Sequence, residues 1–455
     1  MSTKEVVLPL MLIQLVLLIL FGVFGKYASK SDDIDKYPMF QDVHVMIFIG
    51  FGYLMTFLKR YGFSSVGFTL LLGAFIIQWA LLCQGFFELN ADNKIEIGIE
   101  SLYKADIATA SVLISMGAIL GRTSITQLIV MGFIEIMVFS TNSYLGTKIF
   151  QVADAGGSIF VHAFGAYFGL AVSYVMNRKK EGNSETAVSL QESNYTSDLF
   201  AMIGTVFLWL YWPSFNAIEL SGDEQRRAII NTYLALASCT LTAFAMSSLL
   251  SPERKFDMVH IQNSTLAGGV AVGAAANLVL LPVGAIVVGI LAGFVSVYGY
   301  ARLSPRIENT LGVPDTCGVH NLHGMPGVFS GILSVLMAAI ASENQYANDL
   351  FNIYPARMPN FKISNSTAPR SSGEQAGYQA LGLVVTLAVA IVTGLITGFL
   401  LTLTKAPSAH LEYDDATYWE LPKNSHHTNE TKTGIHYDNA SFEVSATDSA
   451  TPKPI

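Results

Sequence analysis

Asp154-Ala-Gly-Gly-Ser-Ile-Phe-Val-His162-Ala-Phe-Gly165 and Asp315-Thr-Cys-Gly-Val-His-Asn-Leu-His323-Gly-Met-Pro-Gly327 follow one pattern: Asp, seven residues, His, then Gly. Each Asp precedes a glycine-containing turn and an apolar run, where a carboxylate caps a helix N-terminus and meets the positive end of its dipole. Eight helical residues rise about 12 Å at ~1.5 Å each. Started from the edge of a hydrocarbon layer ~30 Å thick, that rise carries a His toward the midplane.

Composition supplies the layer. Of 455 residues, 51% are hydrophobic and only 13% are charged, where soluble proteins carry about 25%. Apolar runs fall near 6–25, 41–58, 64–87, 106–120, 125–145, 155–176, 198–217, 228–250, 263–281, 283–302, 317–341 and 377–404. About twelve spans of ~20 residues predict an all-α polytopic membrane protein. The first run is nearly of membrane length and its exit, Gly25-Lys26-Tyr27, is a poor cleavage site; it reads as a retained helix. The net charge of −8, without a basic stretch interleaved with aromatics, argues against nucleic acid as a partner. Cys83, Cys239 and Cys317 lack the paired spacing of a disulfide framework or zinc site.

With the N-terminus in the cytoplasm, Lys59/Arg60, Arg122, Arg178/Lys179/Lys180, Arg254/Lys255 and Arg302/Arg306 all fall inside, as the positive-inside rule prefers. Both termini are then cytoplasmic. Asp154 lies near the outer face and Asp315 near the inner one, so the two Asp–His segments enter from opposite sides, as in an inverted repeat. Residues 1–404 form the transmembrane domain, and 405–455 a cytoplasmic tail too polar to bury a core and largely disordered. Asn365-Ser-Thr367, in a predicted outer loop, is the glycosylation candidate. Gly117/Gly121, Gly165/Gly169, Gly269/Gly273 and Gly289/Gly293 carry the small-residue spacing of closely packed helices.

A lone intramembrane His is commonly a helix–helix hydrogen-bond partner, and His44, beside Gln41 and Asp42, is read that way. His162 and His323 share a context, and ionisable groups inside a bilayer mark pathways. His320, three residues before His323, competes for the role; the eight-residue match favours His323. Asp315, His320, His323 and His162 also form a conceivable zinc set, but no His-Glu-x-x-His frame accompanies them. No metal is expected. Neither a Gly-x-Ser-x-Gly elbow nor a phosphate-binding loop is present, so neither enzymatic activity nor a cofactor is expected. Glu135, inside Met131-Gly-Phe-Ile-Glu-Ile-Met, stays open between a protonated, a paired and an interface-facing acid.

These stretches, with Trp212-Pro-Ser-Phe-Asn, Asp42-Val-His-Val-Met and Lys59-Arg-Tyr-Gly-Phe, resemble the Rh glycoproteins of the ammonium transporter superfamily, from about residue 6 to about 422. The resemblance implies an eleven-helix core in two inverted halves plus an extra N-terminal helix, assembled as a plasma-membrane homotrimer with one pore per subunit. It implies that His162 and His323 are the twin pore histidines, that Asp154 supports an outer recruitment site, and that Phe215 forms part of the outer gate. The second gate position, commonly Phe in the family, is Ile107 here. Both histidines are present, whereas blood-group members lack them, which favours conduction.

The function so implied is recruitment of ammonium at an outer vestibule and conduction of neutral ammonia through a hydrophobic pore. Carbon dioxide conduction is the rival of the same class. A membrane sensor or cytoskeletal anchor acting through Tyr413-Asp-Asp-Ala-Thr-Tyr-Trp-Glu of the tail, with a cytoskeletal partner, is the reading from another class.

Overall fold

The computed structural model describes residues 3–28, 34–177, 192–347, 349–359, 368–404 and 413–422. Asn365 and the expected tail other than 413–422 lie outside the described residues. The membrane domain runs α1 (Val7–Phe24), α2 (Ile34–Phe57), α3 (Gly62–Gly85), α4 (Ile99–Ile119), α5 (Ile125–Ile149), α6 (Ser158–Asn177), α7 (Tyr195–Ala217), α8 (Gly222–Leu250), α9 (Met258–Ser264, then Ala267–Gly273), α10 (Leu281–Leu311), α11 (His320–Ile340) and α12 (Ser372–Leu403). Among the described residues, the eleven other than α9 are each long and apolar enough to cross a bilayer.

The twelfth run is present but broken. After Ser264 the chain makes a tight turn, with Leu266 N–H donating to the Asn263 carbonyl and Gly269 N–H to that of Leu266. Small side chains then let the second half sit deep: Ala267–Gly273 is buried throughout, and a Cβ on Gly268 would lie 2.5 Å from the Ala235 carbonyl of α8. Such interruptions are tolerated where neighbouring protein, not lipid, surrounds the backbone.

α1 stands at the opposite extreme, with nearly all of its surface outside the bundle. Gln14 on α1 donates to Gln78 on α3 at 3.0 Å, and strand β1 (Gly25–Tyr27) pairs in parallel with β2 (Ile95–Ile97). Phe24 meets Phe86 edge to face.

α6 and α11 cross at the centre with opposite polarity. A Cβ on Gly324 would lie 3.5 Å from Ala166, one on Gly327 3.1 Å from Ala163 N, and one on Gly331 3.3 Å from Ile159. Numbers rise along one helix as they fall along the other, which is the inverted arrangement. Gly165 and Gly169 press α6 onto α4, where added Cβ atoms would stand 2.6 Å from the Ser111 carbonyl and from Ser115 Cα. Gly289 and Gly293 press α10 onto α8 in the same way. Gly121 does not extend this pattern: it follows the end of α4 with φ +80°, a left-handed turn that glycine adopts without strain.

Within the tail, Tyr413–Pro422 docks against the ends of α3 and α5 on the Asp315 face. The Asp415 carboxylate accepts from Phe63 and Ser64 N–H, both at 2.8 Å, capping α3. Trp419 donates its indole N–H to Ser64 Oγ at 3.0 Å and occupies the space left by Gly67. Tyr413 N–H donates to the Gly121 carbonyl.

The glycine contacts make a paired expectation. Gly165→Ala overpacks the α4–α6 seam, a change that costs about 1–3 kcal/mol, whereas Gly377→Ala meets nothing within 4 Å. Thermal melts of purified protein should show a lowered midpoint for the first and an unchanged or raised one for the second.

Candidate functional site

The two Asp loops are built alike. Gly157 and Gly318, each three residues after its Asp, are left-handed at φ +63° and +73°. Their N–H groups close the turn onto the Asp154 and Asp315 carbonyls at 3.1 and 3.3 Å. Asp154 Oδ2 accepts from Ile159 N–H at 3.0 Å and Phe160 N–H at 2.9 Å. Asp315 accepts from Val319 and His320 N–H, both at 2.9 Å. Each loop also docks on the end of another helix: Gly156 N–H donates to the Gly273 carbonyl of α9, and Thr316 and Cys317 N–H to the Ala118 and Gly117 carbonyls of α4.

The turn carrying each histidine is π-helical, over Ser158–Ala163 and His320–Gly324. A π turn widens the helix and changes the direction of the side chains that follow, and such turns recur at functional sites. His162 and His323 meet with Nδ1 atoms 3.1 Å apart, their ring planes within 12° of parallel. Both are buried. Trp212 and Phe215 lie against His162, each with its ring centroid 5.7 Å away, and Phe51 stacks on His323 at 6.0 Å. His162 Nε2 is buried with no protein partner.

A contact between two Nδ1 atoms requires that one nitrogen carry the proton and the other accept it. When both rings are neutral, the two Nε2 atoms are then one acceptor and one donor, and the pair presents both hydrogen-bonding functions.

Cavities flank the pair. On the Asp154 face a vestibule of about 270 Å³ is lined by Asp154, Phe215, Ile107, Glu88, Lys104 and Glu219, among others. On the other side, Phe51, Leu54, Leu113, Leu322 and His323 line a narrow, mainly apolar space of about 20 Å³. Phe215 is 3% exposed and lies between the vestibule and His162.

Glu219 escaped the sequence reading. It sits in the turn after α7, one helical turn beyond Phe215. The two lysines that share the vestibule are engaged elsewhere, Lys104 with Glu100 at 2.6 Å and Lys148 with Glu88 at 3.1 Å. Among the described residues no hydrogen bond or ion pair engages Glu219. Its side chain is exposed at the mouth yet ringed by protein. That desolvation raises its pKa above the usual carboxylate value, against the pull of Lys104. The signal for it was Glu at i+4 from a candidate gate residue.

His320 points away from the pair: it meets Tyr167 edge to face and lines a separate cavity of about 450 Å³ with Asp315. His44 Nδ1 pairs with Asp106 Oδ2 at 2.9 Å, next to Ile107. Among the described residues, no three His, Cys, Asp or Glu side chains converge in a metal-binding arrangement.

The sequence matches the Ammonium Transporter Family over residues 9–421. The chain belongs to that family. It is 48% identical to an ammonium transporter Rh type B of Danio rerio, across 94% of this chain and 96% of that one. Identity to a human ammonium transporter Rh type C is 46%, across 91% and 90%. Among solved structures, the Rh50 channel of Nitrosomonas europaea superposes with a TM-score of 0.71 at 32% identity, over 89% of this chain and 97% of that one. Mep2 of Candida albicans shares the fold, with a TM-score of 0.61 at 18% identity over 85% and 87%. The family is one of multi-pass membrane transporters, in keeping with the apolar helices.

Asp154→Ala should leave the Ile159 and Phe160 N–H groups without an acceptor. Each unsatisfied buried donor costs about 1–3 kcal/mol, so the melting midpoint should fall clearly, and less in Asp154→Asn, which keeps one carbonyl oxygen.

Proposed function

We propose that this family member conducts neutral ammonia, gathered as ammonium at the Asp154-side vestibule, through the passage containing His162 and His323. The observation that carries the reading is the buried imidazole pair between a charged vestibule and a mainly apolar cavity. An ammonium ion moved to the centre of a bilayer would be raised by several kcal/mol or more. Ammonia lacks that penalty, and its one lone pair and N–H groups match the donor and acceptor that the pair presents. Phe215 with Ile107 forms the gate at the vestibule floor. Asp154 supports the vestibule through the backbone it caps, and Asp315 does the same for the opposite loop.

Glu219 is the recruiting charge in this reading. Phe215 offers a ring face to the same cation, an attraction that strengthens as water is excluded. The Asp154 face is outside and both termini are cytoplasmic, with Asn365 the glycosylated site and the plasma membrane the location. A homotrimer with one pore per subunit completes the assembly. It is supported by Gln41 and His44, both exposed on α2, where polar side chains are better covered by a neighbouring subunit than by lipid.

Reconstituted into liposomes, the protein should speed the internal pH change after an ammonium gradient without carrying current. Equality with empty liposomes would sink the channel reading. His162→Ala and His323→Ala each leave the other imidazole unpaired, a loss of about 1–3 kcal/mol and so about fivefold to a hundredfold in flux. For Glu219→Gln, loss of one attraction worth about 1 kcal/mol should raise the half-saturating ammonium concentration about fivefold. Acidifying the outside protonates Glu219 and removes the same attraction, so apparent affinity should weaken with falling pH more in the wild type than in Glu219→Gln.

A further inference from the structure

Glu135 is a buried acid for which the proposed conduction path has no use. Glu135 lies on α5 and is 0% exposed, one helical turn before Phe139 and Ser140 of the vestibule wall. Its Oε1 is 2.7 Å from Ser115 Oγ on α4, and that hydroxyl is 2.8 Å from the Gly165 carbonyl on α6. Gly165 follows His162 by three residues.

The protons can be counted. A serine hydroxyl has one proton, and a carbonyl oxygen or an ionised carboxylate can only accept. Were Glu135 ionised, two acceptors would face the single Ser115 proton. The other hydroxyl facing the carboxyl, that of Ser111, donates to the Ala108 carbonyl at 2.9 Å. Oε2 has no hydrogen-bond partner, and among the described residues no Lys, Arg or His acts on the group. An isolated carboxylate so deep in protein and bilayer is strongly disfavoured. With the proton on Glu135 every close contact is satisfied: Glu135 O–H donates to Ser115, and Ser115 donates to Gly165.

We propose that Glu135 is a positioning residue held as the neutral acid, whose donation through Ser115 to Gly165 fixes the turn of α6 that follows His162. The glycine contacts bring α4 and α6 within backbone distance but give no direction to that seam, since a flat glycine surface can slide. A relay of two hydrogen bonds from a third helix, α5, sets the register and thereby the distance from His162 to His323. The neutral form also leaves no fixed negative charge beside a passage for a neutral molecule. Only the consequence for flux rests on the transport reading; the protonation state does not.

Two measurements test it. In infrared spectra of the purified, reconstituted protein at pH 9, a protonated-carboxyl carbonyl band should be present in the wild type and missing from Glu135→Gln. Identical spectra in that region would overturn the assignment of the proton, whatever the protein transports. In liposomes, Glu135→Gln, whose amide still donates to Ser115, should keep ammonia flux within about twofold. Glu135→Ala and Ser115→Ala should each lose about tenfold. Loss in Glu135→Gln equal to that in Glu135→Ala would show that the acid is needed as an acid, and full flux in Glu135→Ala would show that it positions nothing; either result overturns the proposal. Should Glu135→Ala fail to fold, the infrared comparison and Ser115→Ala still decide.

Discussion

α6 and α11 approach until backbone meets backbone at Gly327, where a single methyl would stand 2.7 Å from the Ser158 carbonyl. The rest of the site depends on that approach. It brings two histidines, one from each helix, close enough to share a proton, and it does so with both helices starting from capped turns on opposite faces. A wider crossing would admit water between the helices. Water would in turn let a cation pass, because a hydrated ion loses little on entering a wet cavity. Under the proposed function, packing density and selectivity for a neutral solute are therefore one requirement seen from two sides.

The charges are arranged to match. Carboxylates occur at the mouth and in the capped turns, where either water or backbone N–H groups stabilise them. Around and below the histidine pair the lining is mainly aromatic, aliphatic and imidazole, with Asn263 an amide among them and no carboxylate in the inner cavity wall among the described residues. Asp154 and Asp315 act on the backbone, each satisfying two N–H groups at the start of its helix.

Much of this was legible in the sequence because it is written in local terms. The Asp-to-His spacing appears twice, the left-handed glycine falls three residues after each Asp, and the twelve apolar runs correspond to the twelve helical segments, including the broken α9. Gly165 and Gly289 read as close contacts, and they are. Less legible was whatever depends on which way a side chain turns. Nothing in Ser158–Ala163 announces a π turn, and its backbone lies against α11, a helix more than 150 residues further along the chain. Gly121 carried the spacing of a packing glycine but ends its helix instead. Glu219 joins the vestibule wall only once α4, α5 and the Asp154 loop close around it, and the docking of residues 413–422 depends on partners hundreds of residues away. The three consecutive helices α4, α5 and α6 must also be packed together before Glu135 and Ser115 can be seen as a relay.

The cap on α3 has a consequence for how the molecule is made. Asp415 accepts from Phe63 and Ser64 N–H across more than 350 residues of chain. While the later helices are still being synthesised, the start of α3 has no such acceptor, and its N–H groups depend on interfacial water. The last described segment thus closes a gap left near the first, and the Asp315 face of the bundle is finished only when synthesis has passed Trp419. A chain that stops short of this point would insert all its helices and still present an open seam between α3 and α5, a feature by which an incomplete product differs from a complete one on the face where the tail belongs.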